Sequence, residues 1–239
     1  MSVTAAPPAL RGVNEWGVDR FKDHTRTIGF VAFVVFYLPY FTAIEAIWLT
    51  TNAFWSAGFA AVYLILSSAW ISTRGRAALR ALRVRAADPD VEPRLFNLVE
   101  GIAMRTGVMP QLWVIPEGGP NAFVCHAKRP ALAITQSLLD TYRRTELEAV
   151  VAHCLLRLEP RMLRATREYA TLGPFAPRVE LVGGADDLAA VALTRYPPAL
   201  ASAIDNAEAR TGRSSAYWFV AESRSHRPVA DRLDELRDL

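Results

Sequence analysis

Residues 144–158 read RTELEAVVAHCLLRL, and the spacing of their apolar side chains decides how the second half of the chain folds. Leu147, Val150, Val151, Cys154, Leu155 and Leu158 recur at i, i+3, i+4, i+7, i+8 and i+11, the pattern of a helix with one face in a core. Thr145 followed by Glu148 has the form of a capping box at its start, and Pro160 marks its end. Upstream, residues 111–115 alternate like a strand, 116–120 form a Pro/Gly turn cluster, and 121–125 and 131–135 read as two further strands. Residues 93–105 carry Leu95, Leu98, Val99 and Ile102 at helical spacing, with Gly107 as the stop. A helix starts at 137–142, and others are expected over 181–194, 198–209 and 229–236. Residues 73–239 therefore read as one α+β domain, mainly helical, with a small sheet.

The front of the chain is different. Residues 28–49 form an apolar run with one charge, Glu45, and one proline, Pro39; residues 53–72 form a second with no charge. At about 1.5 Å per residue each helix would span roughly 30 Å, the thickness of a bilayer's hydrocarbon core. The link Thr50-Thr51-Asn52 is short and polar, so 28–72 is expected to be a transmembrane hairpin between an N-terminal segment, 1–27, and the domain. A buried soluble hairpin is the alternative. Arg11, Arg20, Lys22 and Arg26 precede the first run, and Arg74, Arg76, Arg80, Arg83 and Arg85 follow the second, while the link has no basic residue. Basic residues stay on the cytoplasmic side. Both termini are thus expected in the cytoplasm, with the cytoplasmic membrane's lipid bilayer as the first partner. Glu45 lies about a turn from the link, where snorkelling to the interface competes with a functional role inside the span.

Composition narrows the remaining possibilities. Of 239 residues, 51% are hydrophobic and 21% charged, which excludes a mainly disordered chain. Two cysteines exclude a disulfide scaffold. The formal net charge of +3 rests on 25 Arg and 2 Lys with little aromatic interleaving, so no nucleic-acid partner is expected.

Five blocks in order carry a family resemblance: QLWVIPEGGPNAFVC (111–125), ALAITQSLL (131–139), RTELEAVVAHCLLRL (144–158), GADDLAAVALTRYPPALASAI (184–204) and SHRPVADRL (225–233). Behind a membrane hairpin, this order resembles the HtpX-like and CAAX-prenyl-protease-like membrane zinc metallopeptidases. The resemblance implies a zincin-like domain facing the cytoplasm and endopeptidase chemistry at a His-Glu-x-x-His helix. There two His hold zinc and the Glu activates a bound water. A later helix adds a Glu ligand four residues ahead of an Asp that steadies a ligand His.

Here the helix reads His153-Cys154-Leu155-Leu156-Arg157, and aligning Ala185-Asp186 puts Val182 at the Glu position. Cys154, Arg157 and Val182 thus stand where the base and two ligands should be. Arginine has no free lone pair, and one imidazole does not hold zinc, so no metal and no zinc cofactor are expected. The remnant would be His153, approached by Asp186, with His226 facing the cleft; an ordinary helix-entry histidine before Pro228 is the alternative. An unorthodox site from Cys125, His126, His153 and Cys154 competes with the usual role of a buried cysteine as a small hydrophobe. In the family an extended substrate adds beside the Asn-Ala-Phe strand. Asn121, Ala122, Phe123, Val124 and Cys125 are therefore expected to form an exposed or partner-covered edge. The leading reading is a membrane-anchored pseudopeptidase that binds a peptide or membrane-protein partner in a regulatory or scaffolding role. The alternatives are an active metalloendopeptidase with rearranged ligands, or an accessory subunit acting mainly through its hairpin.

Overall fold

A computed structural model describes residues 19–50, 53–127, 129–172, 175–177, 179–212 and 214–239. Helices α1 (Asp19–Thr50) and α2 (Ala53–Ala81) contain the two apolar runs. Then follow β1 (Arg85–Ala86), α3 (Pro93–Thr106), β2 (Gln111–Ile115), β3 (Ala122–His126), β4 (Pro130–Thr135), α4 (Gln136–Thr141) and α5 (Arg144–Arg157). The chain continues through α6 (Pro160–Leu172), α7 (Ala185–Thr194), α8 (Pro197–Asp205), a 3-10 turn (Ser215–Tyr217) and α9 (Val229–Arg237). The mainly helical architecture with a small sheet is as expected from the sequence. Residues 1–18 and the link residues 51–52 lie outside the described residues, and α1 begins well before the expected boundary at 28.

Helices α1 and α2 pack along one another, with Tyr40 stacked on Tyr63 at 4.9 Å between ring centroids. Phe30, Leu38, Phe41 and Trp48 on α1 and Phe59, Val62, Ile65, Leu66 and Trp70 on α2 are exposed large apolar side chains. Ile28–Trp48, 21 residues with mean hydropathy 1.9, is long and apolar enough to cross a membrane. The start of that stretch also belongs to the domain. Ile28 and Ala32 are buried in one cluster with Ala165, Tyr169 and Leu172 of α6.

The sheet has the order β1-β2-β4-β3. β2 runs parallel to β4, with Gln111 opposite Ala131, and β3 and β4 form an antiparallel hairpin with Ala122 opposite Ile134. Alternate side chains go to opposite faces of a strand. Ala122, Val124, Leu132 and Ile134 join the core built with α3, α5, α7 and α8. Phe123, Cys125, Ala131 and Ala133 pack on the other face with Leu79, Tyr217 and Trp218. Both faces are covered, which is why these strands carry no polar alternation.

At Gly75, α2 runs so close to the end of β3 that an added Cβ would stand 2.5 Å from the His126 carbonyl oxygen, a backbone atom. Beside it, Arg76 Nε donates to the Ala127 carbonyl at 3.3 Å. Gly75→Ala is therefore expected to destabilise the protein by about 1–3 kcal/mol, because overpacking outweighs the helix propensity gained. Gly101→Ala in α3, where an added Cβ meets nothing within 4 Å, should stabilise by roughly 0.5–1 kcal/mol. Denaturant midpoints in detergent check both signs, and shifts in the same direction would contradict the packing described.

Several boundaries differ from those expected. The cap of α5 uses Glu146, not Glu148, and only from one side, since Arg143 at the N-cap has no acceptor: Glu146 Oε2 accepts the Arg143 backbone N–H at 2.7 Å, and its Oε1 accepts the Ser202 hydroxyl at 2.6 Å. Pro160 does not only end α5; it opens α6, where a fixed φ and a missing N–H suit the first turn. α7 begins at Ala185 rather than 181, because Gly183 (φ 113°) and Gly184 (φ 49°) take left-handed conformations that no helix continues through. The last two helices, expected over 198–209 and 229–236, are α8 and α9, of which α8 stops earlier, at Asp205.

Candidate functional site

Helix α5 runs through the middle of the domain. Ala149, Val150, Val151, Ala152, His153, Cys154 and Leu155 are all buried, so each polar group it carries inward must be answered by another buried group. His153 Nδ1 lies 3.1 Å from Asp187 Oδ1, off the line of the ring N–H, and the ring packs edge-on to Phe219 at 5.0 Å. The carboxylate against His153 is thus Asp187 and not the expected Asp186. Neighbouring residues on a helix point about 100° apart, so a shift of one residue exchanges their surroundings.

Asp187 is gripped from its other side. Arg232 on α9 donates Nε to Oδ2 at 2.7 Å and Nη2 to Oδ1 at 2.8 Å, while its Nη1 reaches the Phe219 carbonyl at 3.2 Å. Both residues are buried. Burial alone would raise the Asp187 pKa, but the guanidinium of Arg232 and the contact with His153 hold it well below the usual carboxylate range. Asp186 has no such clamp. Its Oδ2 is buried without a hydrogen-bond partner among the described residues, and burial pushes its pKa up to about 8 against the pull of Arg157.

Arg157, one turn beyond His153, is buried. Its Nη1 donates to the Trp218 carbonyl at 2.8 Å and its Nη2 to the Ala216 carbonyl at 2.5 Å. His226 meets it at the same oxygen, with Nε2 3.0 Å from the Trp218 carbonyl. A carbonyl only accepts, so Nε2 carries the proton and Nδ1 accepts from the Ser223 or Ser225 hydroxyl, at 3.0 and 3.1 Å. His226 is buried rather than facing an open cleft. Val182 lies outside the helix, bridged to His226, with its N–H on the Ser225 carbonyl at 3.0 Å and its carbonyl taking the Arg227 N–H at 2.9 Å.

These residues do not fit a zinc ion. His153 Nδ1 faces Asp187, Nε2 has no hydrogen-bond partner among the described residues, and the neighbouring Cys154 thiol is pushed up to about 12 by burial. A guanidinium fills the next helical turn. With Asp187 as the partner of His153, the position four residues earlier is Gly183, where an added Cβ would sit 2.8 Å from Arg227 Cβ. Neither Val182 nor Gly183 offers a donor atom. Among the described residues no three of His, Cys, Asp and Glu are grouped to hold a metal ion. Cys125 and Cys154 are both free and belong to clusters on opposite faces of the sheet, so the unorthodox Cys–His site is not assembled.

The Asn121–Cys125 edge is not exposed. β3 is an edge strand of the sheet, yet Ala122, Phe123, Val124 and Cys125 are buried, and the same chain covers their outer side. Phe123 bridges Trp218, and the Phe219 N–H donates to the Ala122 carbonyl at 2.8 Å. Asn121 closes the end, its Nδ2 on the Val220 carbonyl at 2.8 Å and the Glu208 carbonyl at 2.6 Å. The expected peptide-binding edge is therefore corrected: the chain's own residues occupy it. Arg232, which the sequence reading passed over, was signalled by its place between Val229 and Leu233 on the apolar face of α9.

The buried charges set a pH profile. Burial lowers His153 to about 4 and His226 to about 3, from 6.5. Folded-state values below the unfolded ones mean a contribution present in full above pH 6.5 and lost as pH falls toward 4 and 3. Asp186, raised from 3.8 to about 8, acts oppositely: its contribution is lost as pH rises through that range. Two histidines outweigh one carboxyl on the acid side, and Asp186 acts alone between 6.5 and 8. Stability should therefore peak near pH 6.5, and Asp186→Asn should flatten the alkaline limb. Unfolding midpoints from pH 4 to 8 check this; a stability still rising above pH 7 would contradict it.

No family model and no solved structure matches the chain. Among curated proteins it is similar to the protease HtpX homolog of Thermococcus sibiricus, 37% identical over 82 residues, 33% of this chain and 28% of that one. The protease HtpX homolog of Tropheryma whipplei is 34% identical over 101 residues, 41% of this chain and 32% of that one. That of Dictyoglomus turgidum is 24% identical over 144 residues, 56% of this chain and 46% of that one. The chain thus spans less than half the length of these curated relatives. With the five ordered blocks and a helix fit to cross a bilayer, these partial similarities support a resemblance to HtpX-like proteases.

Proposed function

We propose that this protein is a membrane-anchored HtpX-like pseudopeptidase, retained to engage a membrane-protein partner rather than to cut. The observation that carries the reading is Arg157. At the turn where a second zinc-binding histidine would stand, a fully buried guanidinium spends both terminal nitrogens on carbonyls of the same domain. It has no lone pair for a metal and brings positive charge to the place of one. Catalysis by a metal-bound water has no ligand set here, and Cys154 cannot serve as its base with a thiol pushed up to about 12.

In this reading α1 and α2 form two membrane spans with both termini in the cytoplasm, supported by the exposed apolar side chains on both helices and the basic residues flanking them. A partner would meet this apolar surface, since the β3 edge is already covered. Purified protein in detergent is expected to leave unfolded casein intact with or without added zinc. Chelator-sensitive cleavage that His153→Ala abolishes would overturn the reading. A reporter fused after Leu239 should be active in a cytoplasmic format only; activity on the far side would overturn the orientation.

A further inference from the structure

We propose that residues 216–220 are a strap that occupies the outer edge of β3 in place of an added strand, and that Arg157 is the group that locks it there. This rests on the reading above in one respect, that Arg157 replaces a metal ligand.

The strap is held by side chains far more than by a backbone ladder. Its backbone gives β3 the Phe219 N–H to Ala122 carbonyl bond, beside the Phe123–Trp218 bridge. Its carbonyls are taken by buried side chains: Ala216 and Trp218 by Arg157, Trp218 also by His226, Phe219 by Arg232 and Val220 by Asn121. Aromatic packing adds to this, with Trp218 edge-on to Phe123 at 5.2 Å.

Hydrogen bonds from a charged donor in a dry interior are strong, and Arg157 supplies two of them from one rigid fork. Both terminal nitrogens therefore act on one three-residue segment, Ala216 to Trp218, which pins it against the strand. A dication at this turn would offer no donors to those carbonyls. Exchange of a metal ligand for arginine thus accounts for two properties together: the loss of a metal site, and an edge closed to strand addition by the chain itself.

The test is amide hydrogen exchange on the full-length protein in detergent, with Arg157→Met and Arg157→Lys beside the wild type. Methionine removes both donors; lysine keeps a charge facing Asp186 but cannot fork between two carbonyls. Exchange in 216–220 is expected to quicken at least tenfold in the methionine variant and less in the lysine variant, while the α3 amides stay unchanged. Strap amides that stay as protected as in the wild type would overturn the proposal. So would a uniform rise across the domain in both variants. Zinc in the wild-type protein would instead overturn the pseudopeptidase reading and leave the exchange results to stand or fall alone.

Discussion

Asp187→Ala is expected to destabilise the domain by about 3–5 kcal/mol, the size of effect seen when one partner of a buried ion pair is removed. Arg232 would lose both bonds of a bidentate clamp while remaining buried, keeping only the Phe219 carbonyl. His153 would lose the one charged group in contact with it. Asp186→Asn should be neutral or stabilising near neutral pH, because the carboxyl raised to about 8 is protonated when folded but ionised when unfolded, and the amide keeps its shape without that difference. The contrast between adjacent residues is the informative part. Urea unfolding in detergent, followed by tryptophan fluorescence, measures it. Equal losses, or a larger loss at Asp186, would mean that Asp186 is the true partner of the site.

Much of the fold could be read from local patterns, and the failures have physical causes. The α3 helix was legible because Leu95, Leu98, Val99 and Ile102 share one face and Gly107 caps it at φ 74°. The β2 strand was legible from its alternation, and β4 was read as a strand after the turn cluster. Helix α6 was missed because Pro160 serves both as a stop for one helix and as the first residue of the next. The Asp186/Asp187 ambiguity was built into the chain: two adjacent aspartates, two glycines before them, and no spacing rule to choose. Only the three-dimensional position of Arg232, 45 residues away in sequence, decides which carboxylate turns toward His153. The covering of β3 was only half legible: 216–220, Ala-Tyr-Trp-Phe-Val, is apolar and aromatic enough to mark a buried segment, but where it attaches depends on Asn121 and Arg157 far upstream.

The second large effect expected is an absence of metal dependence. A domain whose stability rests on zinc loses it to a chelator, because binding free energy is folding free energy. Here Arg157 and the Arg232–Asp187 pair fill the corresponding interior with groups that need no ion. The unfolding midpoint should be the same with and without EDTA, and added zinc should not raise it. On the proposed reading, a metal site would not be rebuilt by changes at Cys154, Arg157 and Val182 alone. Val182 lies off the helix and Gly183 has no room for a side chain, so the triple variant Cys154→Glu, Arg157→His, Val182→Glu is expected to stay metal-free.

Elemental analysis of the purified full-length protein tests most directly whether the buried guanidinium of Arg157 takes the place of a metal in this domain. Zinc well below one-tenth of an atom per chain, after purification without chelator, is the expected result; about one zinc per chain would contradict it.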